Sequence, residues 1–305
     1  MALGPNTLWS AVRVTSAGDL VGTASLVSVP SETVEGWRWC YAVTAHHVIS
    51  NNVEIAVEVP DAFTGTLHRP LKLTDWRQPF PGVDLAIAPF RFALSQPFRA
   101  CHLEDQALPS NEFPALAAPI FYIGIFEPLD MPVVRGGHLS SMPTLITKPN
   151  YEYHAHLVDC RSYEGFSGSP CYIEIRHPVV NRRVEPPGPV PEEARGAEYA
   201  PIASFAMLAG IFTAHFDKEE DDGKISRYGV GLMLPVRYIR EALMTDEARQ
   251  ERATWDAERQ AEKAAGGPEL KDAGVAEDVT DEPSEFERFE ALTRQLANTP
   301  KPKPH

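Results

Sequence analysis

The sequence has few cysteines, a shortage of basic residues and no long apolar run, and each of these shortages excludes a class of protein. Its four cysteines, among 305 residues, include no C-x-x-C pair and no zinc-binding pattern. The 28 Lys and Arg against 42 Asp and Glu give a net charge of −14, which argues against nucleic acid or an anionic membrane as a partner. No apolar run approaches the roughly 18 residues that a membrane-spanning helix needs.

The N-terminal segment MALGPNTLWSAVRV has no basic stretch followed by an apolar one, so no secretory signal is predicted. Together with cysteines that read as reduced thiols, this predicts a cytoplasmic protein. The length fits one large or two small domains, and the 43% hydrophobic content is typical of a globular chain.

Proline is abundant and lies between short apolar runs. The 28 prolines are about twice the average usage, and the runs between them are rich in Val, Ile, Tyr and Phe. Runs such as VGTASLVSV, WRWCYAVTA, VDLAIAPF and IFYIGIF have strand lengths and are separated by turn residues. The first 235 or so residues are therefore predicted to be mostly β, in a barrel or sandwich, followed by a short amphipathic helix from Val236 to Met244.

The last 60 residues have a different character. Helix formers with charged neighbours end at Gly266, and residues 268–283 are acidic and almost free of large apolar groups, as in a disordered linker. In the segment 284–298 four apolar residues fall on one helical face: Phe286, Phe289, Leu292 and Leu296. This face is predicted either to bind a partner or to dock on the folded domain. Separately, the Pro-rich, polar stretch near 176–201 is predicted to be a surface loop.

A glycine-rich turn, EGFSGSP, places Ser167 between Gly165 and Gly168. Such a turn exposes the serine hydroxyl and directs neighbouring backbone N–H groups toward one point, as stabilisation of an oxyanion requires. By itself the motif is equally consistent with an ordinary β-turn.

Two other segments favour the catalytic interpretation. AVTAHHVIS carries His46 and His47 at the end of an apolar strand, and GVDLAIAPF carries Asp84 just ahead of another. A serine hydroxyl becomes a good nucleophile when a base takes its proton, and the base in turn needs a carboxylate to fix its tautomer. His, Asp and Ser occur here in that order, each flanked by apolar residues that would bury it.

With these motifs the chain resembles chymotrypsin-fold (trypsin-like) serine proteases. It is closest in style to the bacterial high-temperature-requirement and glutamyl-endopeptidase branches, without a PDZ domain. The T-A-x-H motif of that family matches residues 44–47, the D-[IL]-A motif matches 84–86, and the G-x-S-G-x-P motif matches 165–170. The resemblance covers about residues 8–244.

The resemblance implies a mainly β fold of two six-stranded antiparallel barrels with a C-terminal helix and a partly disordered tail. Residues 1–114 would form the first barrel, and residues 115–245 would form the second barrel and its closing helix. Residues 246–305 would form a charged, partly helical or disordered tail with a candidate partner-binding motif at 284–298.

The resemblance also implies the role of each site residue. Ser167 would attack the substrate carbonyl, His47 would be the base and Asp84 would orient it, with His46 in a structural role. The N–H groups of Gly165 and Ser167 would form the oxyanion hole, and the hydroxyl of Thr213 would support the buried aspartate. The remaining residues expected at the substrate are Arg161, Ser162, Thr213, Ala214 and His215. No metal or other cofactor is expected.

The sequence leaves the substrate specificity undecided. Arg161 would favour an acidic side chain at P1, the residue that carries the reacting carbonyl, whereas the acidic loop at 216–224 would attract basic ones. Phe166 stands just before Ser167, where many secreted relatives have an aspartate, so activation by N-terminal cleavage is not expected.

The leading hypothesis is a serine endopeptidase that acts on a protein or peptide. A protease-fold binding module without activity and an esterase are the alternatives. A role in bacterial stress or anti-phage defence, with a protein partner bound by the tail, is predicted only by analogy.

Overall fold

The computed structural model describes residues 5–8, 10–50, 52–59, 71–90, 100–109, 112, 114–126, 131–160, 165–178, 202–219 and 225–264. The N-terminal strands are β1 (Ala11–Ser16), β2 (Asp19–Pro30), β3 (Arg38–Thr44), β4 (Ile55–Glu58), β5 (Leu71–Lys72), β6 (Ala86–Pro89) and β7 (Cys101–His102). The later strands are β8 (Pro119–Phe126), β9 (Met131–Leu139), β10 (Thr144–Lys148), β11 (Tyr151–Cys160), β12 (Pro170–Pro178), β13 (Ile202–Glu219) and β14 (Ile225–Pro235). The helices are α1 (Pro5–Leu8), α2 (His46–Ser50), α3 (Val236–Leu243) and α4 (Asp246–Ala264).

The first sheet is a half-barrel built around β2. Its antiparallel strands follow the order β5-β4-β1-β2-β3-β6, and β7 pairs in parallel with β2. Because successive strand side chains point to opposite faces, Ala24 and Leu26 of β2 pack inside this sheet. Val27 and Val29 of the same strand join the larger apolar cluster that the second sheet also lines. Burial on both faces explains why β2 reads as an almost continuous apolar run.

The second sheet curls into a nearly closed barrel. Its strands follow the order β10-β11-β14-β13-β12-β8-β9. An additional pairing of β9 with β11 joins six of these strands in a ring. β10 lies outside this cycle as a hairpin partner of β11. The predicted mainly β, chymotrypsin-like class is therefore confirmed. Over the described residues each sheet has seven strands rather than the predicted six, since β7 joins the first sheet and β10 the second. The first sheet is open there.

Helix α3 follows β14 where the sequence predicts a helix, but α4 differs from the expected tail. Trp255 of α4 is 4% exposed and lies 5.1 Å from Trp39 between ring centroids. Arg252 donates a hydrogen bond of 2.8 Å to the Leu243 carbonyl, and Asp256 accepts one of 2.7 Å from Trp39 Nε1. Met1–Glu269 group as one compact unit. The sequence did not indicate this because two of the four residues that α4 buries, Arg252 and Asp256, are charged and pair with distant groups.

Replacing Trp255 with alanine is expected to lower the free energy of unfolding by about 3–5 kcal/mol, the usual cost of deleting a buried aromatic side chain. Chemical denaturation followed by circular dichroism measures this. Gln250→Ala, at an exposed position of the same helix, is the control and should change the free energy by less than about 0.5 kcal/mol.

Two truncations test the same point. A chain ending at Met244 is expected to melt earlier than the full chain, whereas a chain ending at Glu269 should keep its melting temperature. Equal melting temperatures for the full chain and the chain ending at Met244 would show that α4 is a dispensable tail after all.

Candidate active site

His47 lies in the first turn of α2, directly after β3. Thr44 ends the strand, and its hydroxyl donates a hydrogen bond of 2.7 Å to the Thr23 carbonyl. The chain then enters α2 at His46, and Val48 packs inward with 2% exposure. Both histidines therefore lie in a helix, just beyond the end of the strand where the sequence analysis placed them. Their side chains point in different directions because a helix turns by about 100° per residue.

Asp84 reaches His47 through the pairing of β6 with β3. Thr44 pairs with Ala86, which places the residue two before Ala86 beside α2. Asp84 Oδ2 lies 2.9 Å from His47 Nδ1, and Asp84 Oδ1 accepts a hydrogen bond of 3.0 Å from the His47 backbone N–H. The Asp84 side chain is only 4% exposed. Burial of a carboxylate is less costly when it accepts such hydrogen bonds. Here Oδ2 orients the imidazole and Oδ1 holds the backbone of the same residue.

Ser167 completes a line of three side chains. Its Oγ lies 3.0 Å from His47 Nε2, on the ring nitrogen opposite the one that faces Asp84. The turn that presents it needs glycine at two positions, since Gly165 has φ +87° and Gly168 has φ +91°. A Cβ atom at Gly168 would also lie 1.8 Å from the Thr23 carbonyl oxygen. The structure thus brings together the three side chains that the motifs singled out.

Strand β2 holds the serine turn from the side of the first sheet. Thr23 N donates to the Ser167 carbonyl at 2.8 Å, and Thr23 Oγ1 donates to the Gly165 carbonyl at 2.8 Å. Ser25 Oγ adds a hydrogen bond of 3.1 Å to the Gly168 carbonyl. The sequence analysis missed these residues. The available signal was the pair of hydroxyl residues at alternating positions in the apolar run VGTASLV.

The backbone N–H groups of Gly165 and Ser167 donate no hydrogen bond within the part of the chain that the structure describes. The following two amides are already used: Gly168 N donates to the Phe212 carbonyl at 2.7 Å and Ser169 N to the Phe166 carbonyl at 3.0 Å. Since free, fixed amides are what an oxyanion requires, this arrangement suits the predicted pair.

Phe166 anchors the turn in the second barrel. Its side chain is fully buried, and its ring centroid lies 5.8 Å from that of Tyr122 in an edge-to-face contact. A Cβ atom at Gly124 would lie 2.3 Å from Phe166 Cδ1, so glycine there makes room for the ring. Apolar packing therefore fixes the residue that precedes the serine.

Thr213 is close to the site but does not support Asp84 as expected. Its hydroxyl lies 3.2 Å from the Tyr153 hydroxyl and 3.5 Å from the Leu232 carbonyl. Its own carbonyl accepts a hydrogen bond of 3.3 Å from Ser167 Oγ. The contribution of Thr213 to the site is thus made by the backbone, in contact with the serine rather than with the aspartate.

Two tyrosines of β11 that the sequence analysis did not single out flank the acid and the histidines. The Tyr151 hydroxyl lies 3.2 Å from His46 Nδ1. Burial, followed by the negative charge of Asp84, raises the pKa of Tyr153. Burial also lowers the pKa of His46, which keeps its ring neutral over a wider pH range. His46 therefore has a tyrosine rather than Ser167 as its hydrogen-bond partner.

The edge of β13 beside Ser167 pairs with no described strand at Thr213 and Ala214. The pairing of β13 with β12 stops at Ile211, which lies opposite Pro170. Beyond it, Ala214 and His215 pair with β14 on the other side. An edge without a partner strand is where an extended peptide can add as a further strand.

The cysteines offer no alternative nucleophile. All four are free thiols, and burial raises the pKa of Cys40 to about 12, of Cys101 to about 12 and of Cys160 to about 11. A thiol reacts as its thiolate, so these groups are inert near neutral pH.

For metals, the described residues bring together ligand atoms of His102, Glu104 and Asp105 within 4.8 Å of one another. Glu104 already forms an ion pair with Arg38, and we assign no metal site there.

Several predicted residues fall outside the described ones. These are Arg161 and Ser162, residues 220–224 of the acidic loop, most of the Pro-rich insertion, and the 284–298 motif.

Solved structures with a similar fold are proteases. The MamO protease domain from Magnetospirillum magneticum is 19% identical with a TM-score of 0.51, over 79% of this chain and 98% of that one. The HtrA-type protease AlgW with a tripeptide is 17% identical, over 77% of this chain and 60% of that one, with a TM-score of 0.49. The Rv3671c protease from M. tuberculosis in its active form is 14% identical, over 78% and 80%, with a TM-score of 0.47. At these identities the likeness concerns the fold.

The chain has a chymotrypsin-like fold. The resemblance drawn from the sequence is therefore confirmed at the level of the fold. No protein-family model matches the sequence, and no curated protein matches it closely enough to count as a relative. Among the described helices, none has the length and the apolar character that crossing a membrane requires.

Proposed function

We propose that the protein is a serine endopeptidase that cleaves peptide bonds through an acyl-enzyme. The observation that carries this proposal is the uninterrupted line from Asp84 to His47 to Ser167, with contacts of 2.9 and 3.0 Å. These distances suit proton transfer between the serine and the imidazole, and the buried carboxylate stabilises the imidazolium that results.

In the first half of the reaction Ser167 Oγ bonds to the substrate carbonyl carbon while His47 Nε2 takes the hydroxyl proton. The carbonyl oxygen becomes an oxyanion that accepts hydrogen bonds from the Gly165 and Ser167 amides. His47 Nε2 then returns its proton to the leaving nitrogen, the C–N bond breaks, and an acyl-serine and a free amine remain.

In the second half water replaces the amine. His47 Nε2 takes a proton from the water, whose oxygen bonds to the acyl carbon. The oxyanion collapses, the bond to Ser167 Oγ breaks, and His47 returns the proton to Ser167. The products are a carboxylic acid and the regenerated hydroxyl, with no cofactor consumed.

A peptide substrate is favoured over other acyl compounds by the edge of β13 at Thr213 and Ala214. This edge lies next to Ser167 and pairs with no described strand, so the backbone of an extended substrate can hydrogen-bond to it. An ester substrate would not need this edge, and a silent binding module would not need the three aligned side chains.

One experiment separates the three functions. A fluorophosphonate, which reacts with an activated serine, is expected to label the wild-type chain covalently, and mass spectrometry of a peptide library should then show cleavage at internal bonds. Labelling with ester turnover but no peptide cleavage would favour the esterase. Absence of labelling would favour the binding module and contradict the proposal.

The location, the partner and the biological role of the protein are proposed from the sequence and from analogy. We place the protein in the cytoplasm, with the segment 284–298 as a binding motif for a protein partner, and by analogy in a bacterial stress or anti-phage system. Immunoprecipitation of the full chain and of a chain ending at Glu269, compared by mass spectrometry, tests whether that segment is needed to retain a partner.

A further inference from the structure

Asp84 lies at the centre of a tight turn whose carbonyl group accepts two hydrogen bonds. Leu85 N donates one of 2.8 Å to the Val83 carbonyl, which makes residues 83–85 a γ-turn. The side-chain amide of Gln78 donates the second, of 2.9 Å, to the same carbonyl. A carbonyl oxygen has two lone pairs, so both are occupied. A side chain from a different segment thus fixes the peptide group that precedes Asp84.

The segment that carries Gln78 is itself fixed to β6. Arg77 and Ile87 exchange two backbone hydrogen bonds of 2.9 Å, which form an isolated antiparallel bridge. Ile87 in turn pairs with Val43 of β3. The two neighbouring residues therefore contact the chain on both sides of Asp84, with Gln78 bonded just before it and Arg77 just after it.

Helix α4 contacts this segment from outside the sheet. Arg77 Nη2 lies 2.8 Å from Glu251 Oε2, and the two side chains are 27% and 24% exposed. A partly exposed ion pair adds little to stability, so the main effect expected here is on the orientation of Arg77. Because α4 also packs Trp255 against Trp39 of β3, one helix contacts both that strand and the segment beside Asp84.

The start of the turn contacts the second barrel. Glu152 N donates a hydrogen bond of 2.7 Å to the Gly82 carbonyl. The Phe80 ring packs edge to face on Tyr238, with centroids 6.2 Å apart. With both ends of the turn fixed, the peptide group before Asp84 can still rotate about the bonds to its two Cα atoms. A hydrogen bond to its carbonyl opposes that rotation.

We infer that Gln78 is a positioning residue for the reaction, because it fixes the peptide group before Asp84 and so keeps the carboxylate aligned on His47. Asp84 accepts hydrogen bonds of 2.9 Å from His47 Nδ1 and 3.0 Å from its backbone N–H, and both depend on the direction of one carboxylate. Gln78 lies six positions before Asp84 and outside the motif around it, so no pattern in the sequence pointed to it. The kinetic part of the test rests on the proposed function.

Gln78→Met tests the inference, because methionine is similarly long and unbranched but has no amide to donate. For a fluorogenic peptide, kcat should fall about 10-fold or more and KM should change by less than about 2-fold, since the substrate contacts are untouched. Rates are divided by the fraction of chain that the fluorophosphonate labels at saturation, which corrects for loss of folded protein.

Gln106→Met is the matched control. The side chain of Gln106 accepts a hydrogen bond of 3.0 Å from the His102 backbone N–H, so this variant also removes a bond between a glutamine and the backbone, but next to β7. Its kcat and KM should equal those of the wild type. A wild-type kcat for Gln78→Met would overturn the inference.

A second comparison separates positioning from a general structural role. In the Asp84→Asn chain, which lacks the carboxylate, adding Gln78→Met should change kcat by less than about 2-fold, because residues that act through one another are not additive. An equally large loss in both backgrounds would show that Gln78 does not act through Asp84, and the inference would be wrong.

Proton NMR reports the same geometry without turnover. The proton on His47 Nδ1, hydrogen-bonded to Asp84, should give a downfield signal that the Asp84→Asn chain lacks. In Gln78→Met this signal should weaken through faster exchange with water, and in Gln106→Met it should stay. An unchanged signal in Gln78→Met contradicts the inference. Since the signal needs no catalysis, a wild-type chain that the fluorophosphonate does not label would refute the proposed function alone.

Discussion

Ser167→Ala is expected to abolish fluorophosphonate labelling and to lower kcat for peptide cleavage by about six orders of magnitude. In the proposed mechanism this substitution removes the atom that bonds to the substrate carbonyl. It leaves the proposed oxyanion amides in place, which is why a small residual rate over water is expected. Time-resolved labelling and a fluorogenic peptide assay measure the two losses.

The fold should survive this change, because the described contacts of the Ser167 hydroxyl are with His47 and the Thr213 carbonyl. Ser169→Ala is a matched control two residues along the same turn. The hydroxyl of Ser169 is buried without a hydrogen-bond partner among the described residues, so its loss should preserve labelling and activity. Full turnover by the Ser167→Ala chain would refute the assignment of the nucleophile.

His47→Ala should cost a similar factor, about six orders of magnitude in kcat, whereas His46→Ala should change kcat by less than about 10-fold. Only His47 lies between Asp84 and Ser167, while the ring of His46 is hydrogen-bonded to the Tyr151 hydroxyl. Parallel measurement of kcat and of labelling rate for the two variants provides the comparison. A larger loss from His46→Ala would mean that the base is one residue earlier.

The fold class could be predicted because its determinants are local. Apolar runs of strand length, separated by proline and glycine, specify many short strands, and the glycines around Ser167 specify a turn that other residues cannot adopt. The topology came from the resemblance to chymotrypsin-fold proteases that the His, Asp and Ser motifs carry. The same reasoning placed His47, Asp84 and Ser167 correctly near one another without any distance.

The details that the sequence analysis missed or misplaced depend on contacts between segments far apart in the chain. Thr23 Oγ1 reaches the Gly165 carbonyl across 142 positions of sequence, and the Thr213 hydroxyl faces Tyr153 rather than Asp84. Neither partner is encoded by a pattern near the residue itself. The charged composition of α4 predicts a tail, although Arg252 and Asp256 are less than 5% exposed once paired.

The sequence by itself determined which segments are strands, which turn carries the serine, and which three side chains can work together, because periodicity and glycine conformation act over a few residues. The tertiary structure decided what surrounds them: the hydrogen bonds from β2 to the serine turn, the packing of α4 against β3, and the burial of Phe166 in the second barrel. These depend on contacts between segments far apart in the chain, where a polar or aromatic residue takes its role from the partner it meets rather than from its neighbours in sequence.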